Sequence, residues 1–241
     1  MKALIIAAGG GTRLRPYTNN KPKALIPLLG VPLIVRIISS VKKAGIDQLT
    51  IVTGYLGSKL RHALGDGNRY GVKIQYIRNP EWWKPNGISV LKARPFVQEN
   101  FLLLMSDHIF DPRILLDLLR LRIENKESIL CVDRDIYNIF DISDATKVKV
   151  NRGKIKAIGK HLRDYNGIDT GLFMCSPHFF KVLEYNIKRG YYSLSDSVRT
   201  LARRGRMRAH ELTNAFWFDI DTLEALRLAE ERIRKLGLAA A

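Results

Sequence analysis

Hydrophobic positions in the first hundred residues form short continuous runs separated by amphipathic stretches. Residues 2–8, 49–53, 73–77 and 101–105 are apolar runs of strand length. Between them, residues 33–44 carry Ile34, Ile37, Ile38 and Val41 on one helical face and stop at Gly45. Residues 57–64 and 88–94 are the next two helices in the same alternation. Strand after helix at this spacing requires crossover connections, hence a mostly parallel sheet covered on both faces.

The second half changes rhythm. Asp111-Pro112 caps and opens a leucine-rich helix, and a strand follows over 128–133. Lys147–Val150 and Lys154–Ala157 alternate strictly about the turn Asn151-Arg152-Gly153, which predicts a hairpin. A strand is expected over 171–175, entered through Asp169-Thr170-Gly171, and a helix from Ser176-Pro177. Ser193 with Asp196 forms a capping box for the next helix. The last helix is expected to begin at Asp221, with Glu224 three residues on, and to end near Gly237. Without an internal repeat or a linker, the expected architecture is one α/β domain over 1–241, a Rossmann-like three-layer sandwich around a mostly parallel, mixed sheet.

Composition narrows the setting. Of 241 residues 46% are hydrophobic, enough for a sizeable core, and no apolar run approaches the length of a membrane span. Cys131 and Cys175 sit among apolar strand residues without metal-ligand spacing, so they read as buried thiols in a reducing, cytoplasmic setting. A net charge of +17 points to anionic partners, whether small molecules, membranes or nucleic acid. Its densest run, Arg199 to Arg208, holds five arginines and reads as a solvated face or a membrane-surface contact. No aromatic-interleaved module accompanies it, which argues against nucleic acid.

Candidate chemistry starts where the first strand ends. Ala8 is followed by Gly9, Gly10 and Gly11, then Thr12, with Arg13, Arg15, Lys21 and Lys23 close behind. Glycines let backbone N–H groups close on an anion, and the cations supply the opposite charge, so the loop suits a polyphosphate. A dinucleotide fingerprint is excluded because Leu14 stands where its third glycine belongs and Pro16 interrupts the helix. A P-loop is excluded too, since Gly54 to Lys59 has the wrong spacing.

Ligands of open parallel sheets bind beyond the carboxyl ends of the strands. There the strand 101–105 delivers Ser106-Asp107-His108, and Asp107 is placed to hold Mg2+ against phosphate oxygens. His108 suits a substrate contact better than a hard cation. Further on, Trp217-Phe218-Asp219-Ile220-Asp221 offers two acids on the same side of an extended segment. Asp221 doubles as a helix cap; Asp219 has no such structural duty.

The combination Gly10-Gly11-Thr12-Arg13-Leu14, Pro16 and Pro22-Lys23 resembles the nucleotidyltransferases that make sugar nucleotides and related activated alcohols. The resemblance covers nearly the whole chain. It implies a GT-A-like nucleotidyltransferase fold, with a nucleotide-binding part over about 1–110 and an acceptor-binding part over about 111–241. It implies that Ala8, Gly9, Gly10, Gly11 and Thr12 hold a nucleoside triphosphate, that Asn86, Gly87 and Ser89 read its base, and that Arg13 and Lys23 are catalytic. Asp169, Thr170, Lys160 and His108 then contact the acceptor, while Asp107 and Asp219, with Asp221 as a second candidate, bind Mg2+. Asn86 and Ser89 can alternatively cap a helix, and Lys160 can be a solvated hairpin lysine.

Ser106-Asp107-His108, in place of the Gly-Asp of hexose-phosphate members, resembles the inositol-1-phosphate cytidylyltransferases of thermophiles. That likeness implies CTP and inositol-1-phosphate, a phosphorylated polyol, as substrates, CDP-inositol as product, and a place on the route to the heat-stress solute di-myo-inositol phosphate. It also implies fusion to, or contact with, a membrane-embedded CDP-alcohol phosphotransferase domain, and a location at the inner membrane face. A hexose-1-phosphate nucleotidyltransferase using UTP, dTTP or GTP is the alternative.

Overall fold

Side-chain alternation in the first strand, β1 (Lys2–Ala7), determines the layering. Leu4 and Ile6 join one buried cluster, and Ala3, Ile5 and Ala7 join another on the opposite face, as a pleat of period two requires. The computed structural model describes residues 1–124, 126–213 and 215–237. The terminal Ala239–Ala241 of the expected domain lies outside them.

After β1 come the short ribbon β2 (Pro27–Leu28) and β3 (Val31–Pro32), then α1 (Leu33–Lys43), β4 (Gln48–Thr53), α2 (Gly57–Leu64) and β5 (Lys73–Arg78). Next are α3 (Asn86–Lys92), β6 (Phe101–Met105), β7 (His108–Phe110), α4 (Arg113–Arg120) and β8 (Ser128–Asp133). The hairpin β9 (Lys147–Asn151) and β10 (Lys154–Gly159) leads into β11 (Gly167–Cys175), α5 (His178–Ile187) and α6 (Leu194–Arg203). The described chain finishes with β12 (Met207–Glu211), β13 (Trp217–Asp219) and α7 (Leu223–Lys235).

A nine-stranded sheet orders its strands β5-β4-β1-β6-β11-β8-β12-β10-β9. The first four are mutually parallel; β11 enters antiparallel between β6 and β8, and β10 runs antiparallel to both its neighbours. The remaining strands share one direction, which is the mostly parallel, mixed sheet expected. Helices α1, α2 and α4 pack through Ile37, Leu60 and Leu115 on one face. Helices α3, α5 and α6 pack through Val90, Phe179 and Val198 on the other, where Phe101 stacks on Phe180 at 5.0 Å. A third cluster joins Leu14, Ile26, Phe218 and Ile233, and so fastens α7 beside the glycine loop. Among the described residues, no helix is long and apolar enough to cross a membrane.

Three boundaries depart from expectation. Helix α3 starts at Asn86, after Pro85, rather than at 88. Strand β11 starts at Gly167, so Asp169 and Thr170 lie within it; a bulge follows at Gly171, whose φ of +72° suits glycine. The last helix is capped by Thr222, whose hydroxyl accepts from Ala225 N–H at 3.0 Å, and not by Asp221. Strand β12 begins at the end of the arginine-rich stretch, with Met207 and Arg208, where the charges mask the strand pattern.

The capping box at α6 forms as expected: Ser193 Oγ accepts from the Asp196 amide and the Asp196 carboxylate accepts from the Ser193 amide. Replacing Ser193 by Ala should lower the unfolding free energy by about 1 kcal/mol in chemical denaturation, the usual loss for such a cap. An unchanged denaturation midpoint would show that α6 is held by its packing alone.

Candidate active site

The glycine loop takes its shape from two close approaches. Ala8 O accepts from the Tyr55 amide at 3.0 Å, and a Cβ at Gly54 would stand 2.6 Å from that same oxygen. At Gly11, with φ +59°, a Cβ would stand 2.9 Å from the Cβ of Lys23, so glycine allows the Lys23 stem to pass beneath the loop. Thr18 Oγ1 donates to Gly11 O at 2.8 Å, and buried Leu14 anchors the far side. Gly9 faces open space. The loop is thus rigid below and accessible at Gly9.

Asp107 follows β6, and the ribbon β7–β13 sets Asp219 directly opposite His108. The Ile220 amide donates to Asp107 O at 3.0 Å, closing the arrangement. Ligand atoms of Asp107, His108 and Asp219 all lie within 4.8 Å of one another. Asp219 Oδ1 is buried without a hydrogen-bond partner, while His108 Nδ1 lies 2.9 Å from Asp107 Oδ1 and 3.8 Å from Asp219 Oδ1. A buried, unsatisfied carboxylate oxygen beside a second carboxylate is a fit for a hard divalent cation.

Cations surround these acids. Lys23, only 8% exposed, donates to Asp107 Oδ2 at 2.5 Å and also to Asp221. Arg13 donates to Asp221 and, at 2.7 Å, to Asp144 Oδ2. Burial alone would lower the Lys23 pKa, but Asp107, Asp221 and Asp219 outweigh it and raise it above its ordinary value. Burial alone would raise Asp107, yet Lys23 and His108 hold it well below the carboxylate range. Burial, assisted by Asp107 and opposed by His108 and Lys23, pushes Asp219 up to about 6. His108 loses by burial and gains more from Asp219 and Asp107, reaching about 9.

A cavity of about 350 Å3 opens beside the acids. Of the residues expected to line it, Arg13, Asn86, His108, Lys160, Asp169, Asp219 and Asp221 do so. Burial pushes Asp169 up to about 6 against the opposing Gly171 N–H, which donates to it at 2.8 Å. Its neighbour Thr170 points away, fully buried, and donates to Cys131 O at 2.9 Å; alternation along β11 explains the difference. Ser89 is also turned inward, its hydroxyl 2.9 Å from Asn79 Nδ2. Gly87 packs so tightly that a Cβ would stand 2.4 Å from Tyr192 O, and Asn86 accepts from the Leu194 amide rather than capping α3.

Sequence reasoning overlooked the segment 133–146, which forms one wall through Asp133, Asp135, Asn138, Phe140 and Asp144. Its signal was four aspartates in twelve residues of a strongly basic chain. Asp144 binds Arg13 and Lys160 together, and Trp217 Nε1 donates to Asp133 at 2.6 Å.

The chain is 34% identical, over 99% of its length, to the bifunctional IPC transferase and DIPP synthase of Rubrobacter xylanophilus, and 33% identical, over 98%, to the protein of the same name from Aquifex aeolicus. In each case it covers 52% of the relative, so the chain spans about half the length of these curated proteins. The solved structure of the inositol-1-phosphate CTP transferase from T. maritima superposes with a TM-score of 0.84 at 27% identity, covering 98% of this chain and 95% of that one. Residues 2–235, which include the glycine loop, Lys23 and all three acids, match the nucleotidyl transferase family model, and the chain belongs to that family.

Proposed function

We propose that this chain transfers a cytidylyl group from CTP to inositol-1-phosphate, giving CDP-inositol and pyrophosphate. The observation that carries the reading is the meeting of Asp107 and Asp219, one with an unsatisfied buried oxygen, beside Lys23 and the glycine loop. Relatives named IPC transferase and a solved inositol-1-phosphate CTP transferase support the choice of nucleotide and acceptor.

In this reading the backbone from Ala8 to Thr12 receives the triphosphate, with Asn86 at the mouth of the base site. Gly87 and Ser89, turned inward, shape that site from behind instead of touching the base. Lys23 sits where the α-phosphate and the attacking phosphate meet, and Arg13 faces the departing pyrophosphate. An oxygen of the acceptor's phosphomonoester attacks the α-phosphorus; the bond from that phosphorus to the bridging oxygen breaks, and pyrophosphate leaves with the electron pair. The nucleophile is already an anion, so no proton has to be removed. The obstacle is repulsion between two anions, which fixed cations offset. Mg2+ held by Asp107 and Asp219, with Asp221 adjoining, would neutralise phosphate oxygens as a Lewis acid.

Acceptor recognition falls to the cavity. Lys160, on the hairpin, takes the acceptor phosphate, and Asp169 accepts from ring hydroxyls. Thr170 supports β11 rather than the acceptor. His108 stacks on Trp217 at 6.3 Å and rests against Gly171, where a Cβ would stand 2.7 Å from its ring. The relatives are named bifunctional, which supports a second activity fused to or working beside this domain, and the resemblance implies a membrane phosphotransferase in that role.

Assays of CTP, UTP, dTTP and GTP against inositol-1-phosphate and hexose-1-phosphates should release pyrophosphate fastest from CTP with inositol-1-phosphate. Preference for a hexose-1-phosphate would replace the acceptor in this reading. Lys23→Ala or Arg13→Ala should each lower kcat about 10²–10³-fold, the scale for removing one electrostatic stabiliser. Near-normal turnover would remove that residue from the mechanism. Asp107→Asn should abolish Mg2+-dependent turnover while circular dichroism reports an intact fold; a metal-responsive variant would refute the ligand assignment.

A further inference from the structure

The cations outside the cavity are not spread evenly. Strand β8 begins at Ser128, which lies beside Met207 of β12 and Cys175 of β11 in the sheet register. The segments around 126, 178 and 206 therefore converge at the starting end of the parallel strands, whereas the glycine loop and Asp107 lie at their finishing end. Lys126, Lys181, Arg204 and Arg206 are exposed here. Their nearness to one another is registered by His178, whose pKa is lowered by partial burial and then by the field of these four cations. Lys154, Arg204, Arg206 and Arg208 surround an open depression in the same region. Its acids are outnumbered: Glu124 lies 3.9 Å from Arg206, and buried Glu127 lies 3.8 Å from Arg208.

An aromatic ring belongs to the same patch. Tyr185, one helical turn after Lys181, is 42% exposed, with the Arg189 guanidinium 3.7 Å and that of Arg204 5.4 Å from its ring centroid. An exposed tyrosine among arginines and lysines is the combination that settles at the boundary between lipid headgroups and water, ring inward and cations on phosphates. Nucleic acid is a poorer fit, because guanidiniums already lie over the ring face that a base would stack on.

We infer that this end of the molecule is a docking surface for an anionic lipid bilayer, with Lys181, Tyr185, Arg204 and Arg206 at its centre. Docked in this way, the chain turns its cavity away from the bilayer and leaves it open to water-soluble substrates. Electrostatic attraction of this type scales with the number of cations near the surface and weakens within a Debye length.

The test is co-sedimentation of the purified chain with vesicles of phosphatidylcholine, with and without phosphatidylglycerol at about one-quarter of the lipid. The chain should partition onto the anionic vesicles at about 0.1 M salt, stay off the neutral ones, and be released near 0.5 M. The triple variant K181E/R204E/R206E should bind at least about 100-fold more weakly, taking about fivefold for each lost cation as the minimum, and should keep its nucleotidyl transfer rate. Should that variant fail to fold, Lys181→Ala and Arg204→Ala, each expected to cost about fivefold, serve in its place. Equal binding to neutral vesicles, undiminished binding of the variants, or a gel shift with RNA in the absence of vesicle binding would overturn the inference.

Discussion

The ammonium of Lys23 is the point on which the site depends. Three acids, Asp107, Asp219 and Asp221, are drawn together from the end of a central strand and from the last fifth of the chain, in a place where burial penalises charge. Lys23, entering from beneath the glycine loop, donates to two of them. Its approach is possible because Gly11 carries no side chain. Removing the cation would leave neighbouring carboxylates to repel one another in a poorly solvated corner. One interaction therefore ties the N-terminal loop, the middle strand and the C-terminal ribbon into a single unit.

Much of this was legible in the sequence. The alternation of apolar runs and helical faces gave the layers, and the glycine run with its cations gave the loop, because each rests on local rules. The position of Asp107 was legible as well, since residues that follow a strand of an open parallel sheet stand at its ligand-binding end. Asp219 and Asp221 were harder to separate. The last helix was expected to be capped by Asp221; Thr222 caps it, and Asp221 instead accepts from Lys23 and Arg13.

Other features depended on long-range contacts that no local pattern records. Thr170 and Asp169 are neighbours in sequence yet face opposite sides of β11, and the strand's start, four residues earlier than expected, decides which side each takes. Ser89 resembles a capping or base-reading residue until Asn79 is brought against it. The wall at 133–146 has little apolar periodicity, so its part in the cavity follows from chain path rather than from pattern.

Asp144 gives this architecture a further property. Its carboxylate lies between Arg13 of the loop and Lys160 of the hairpin, two cations assigned to the phosphates of different substrates. A phosphate arriving at either one does not meet a bare charge wrapped in ordered water; it exchanges with an anion already in place. The loop and the hairpin, on either side of the cleft, are thus joined through a single acid.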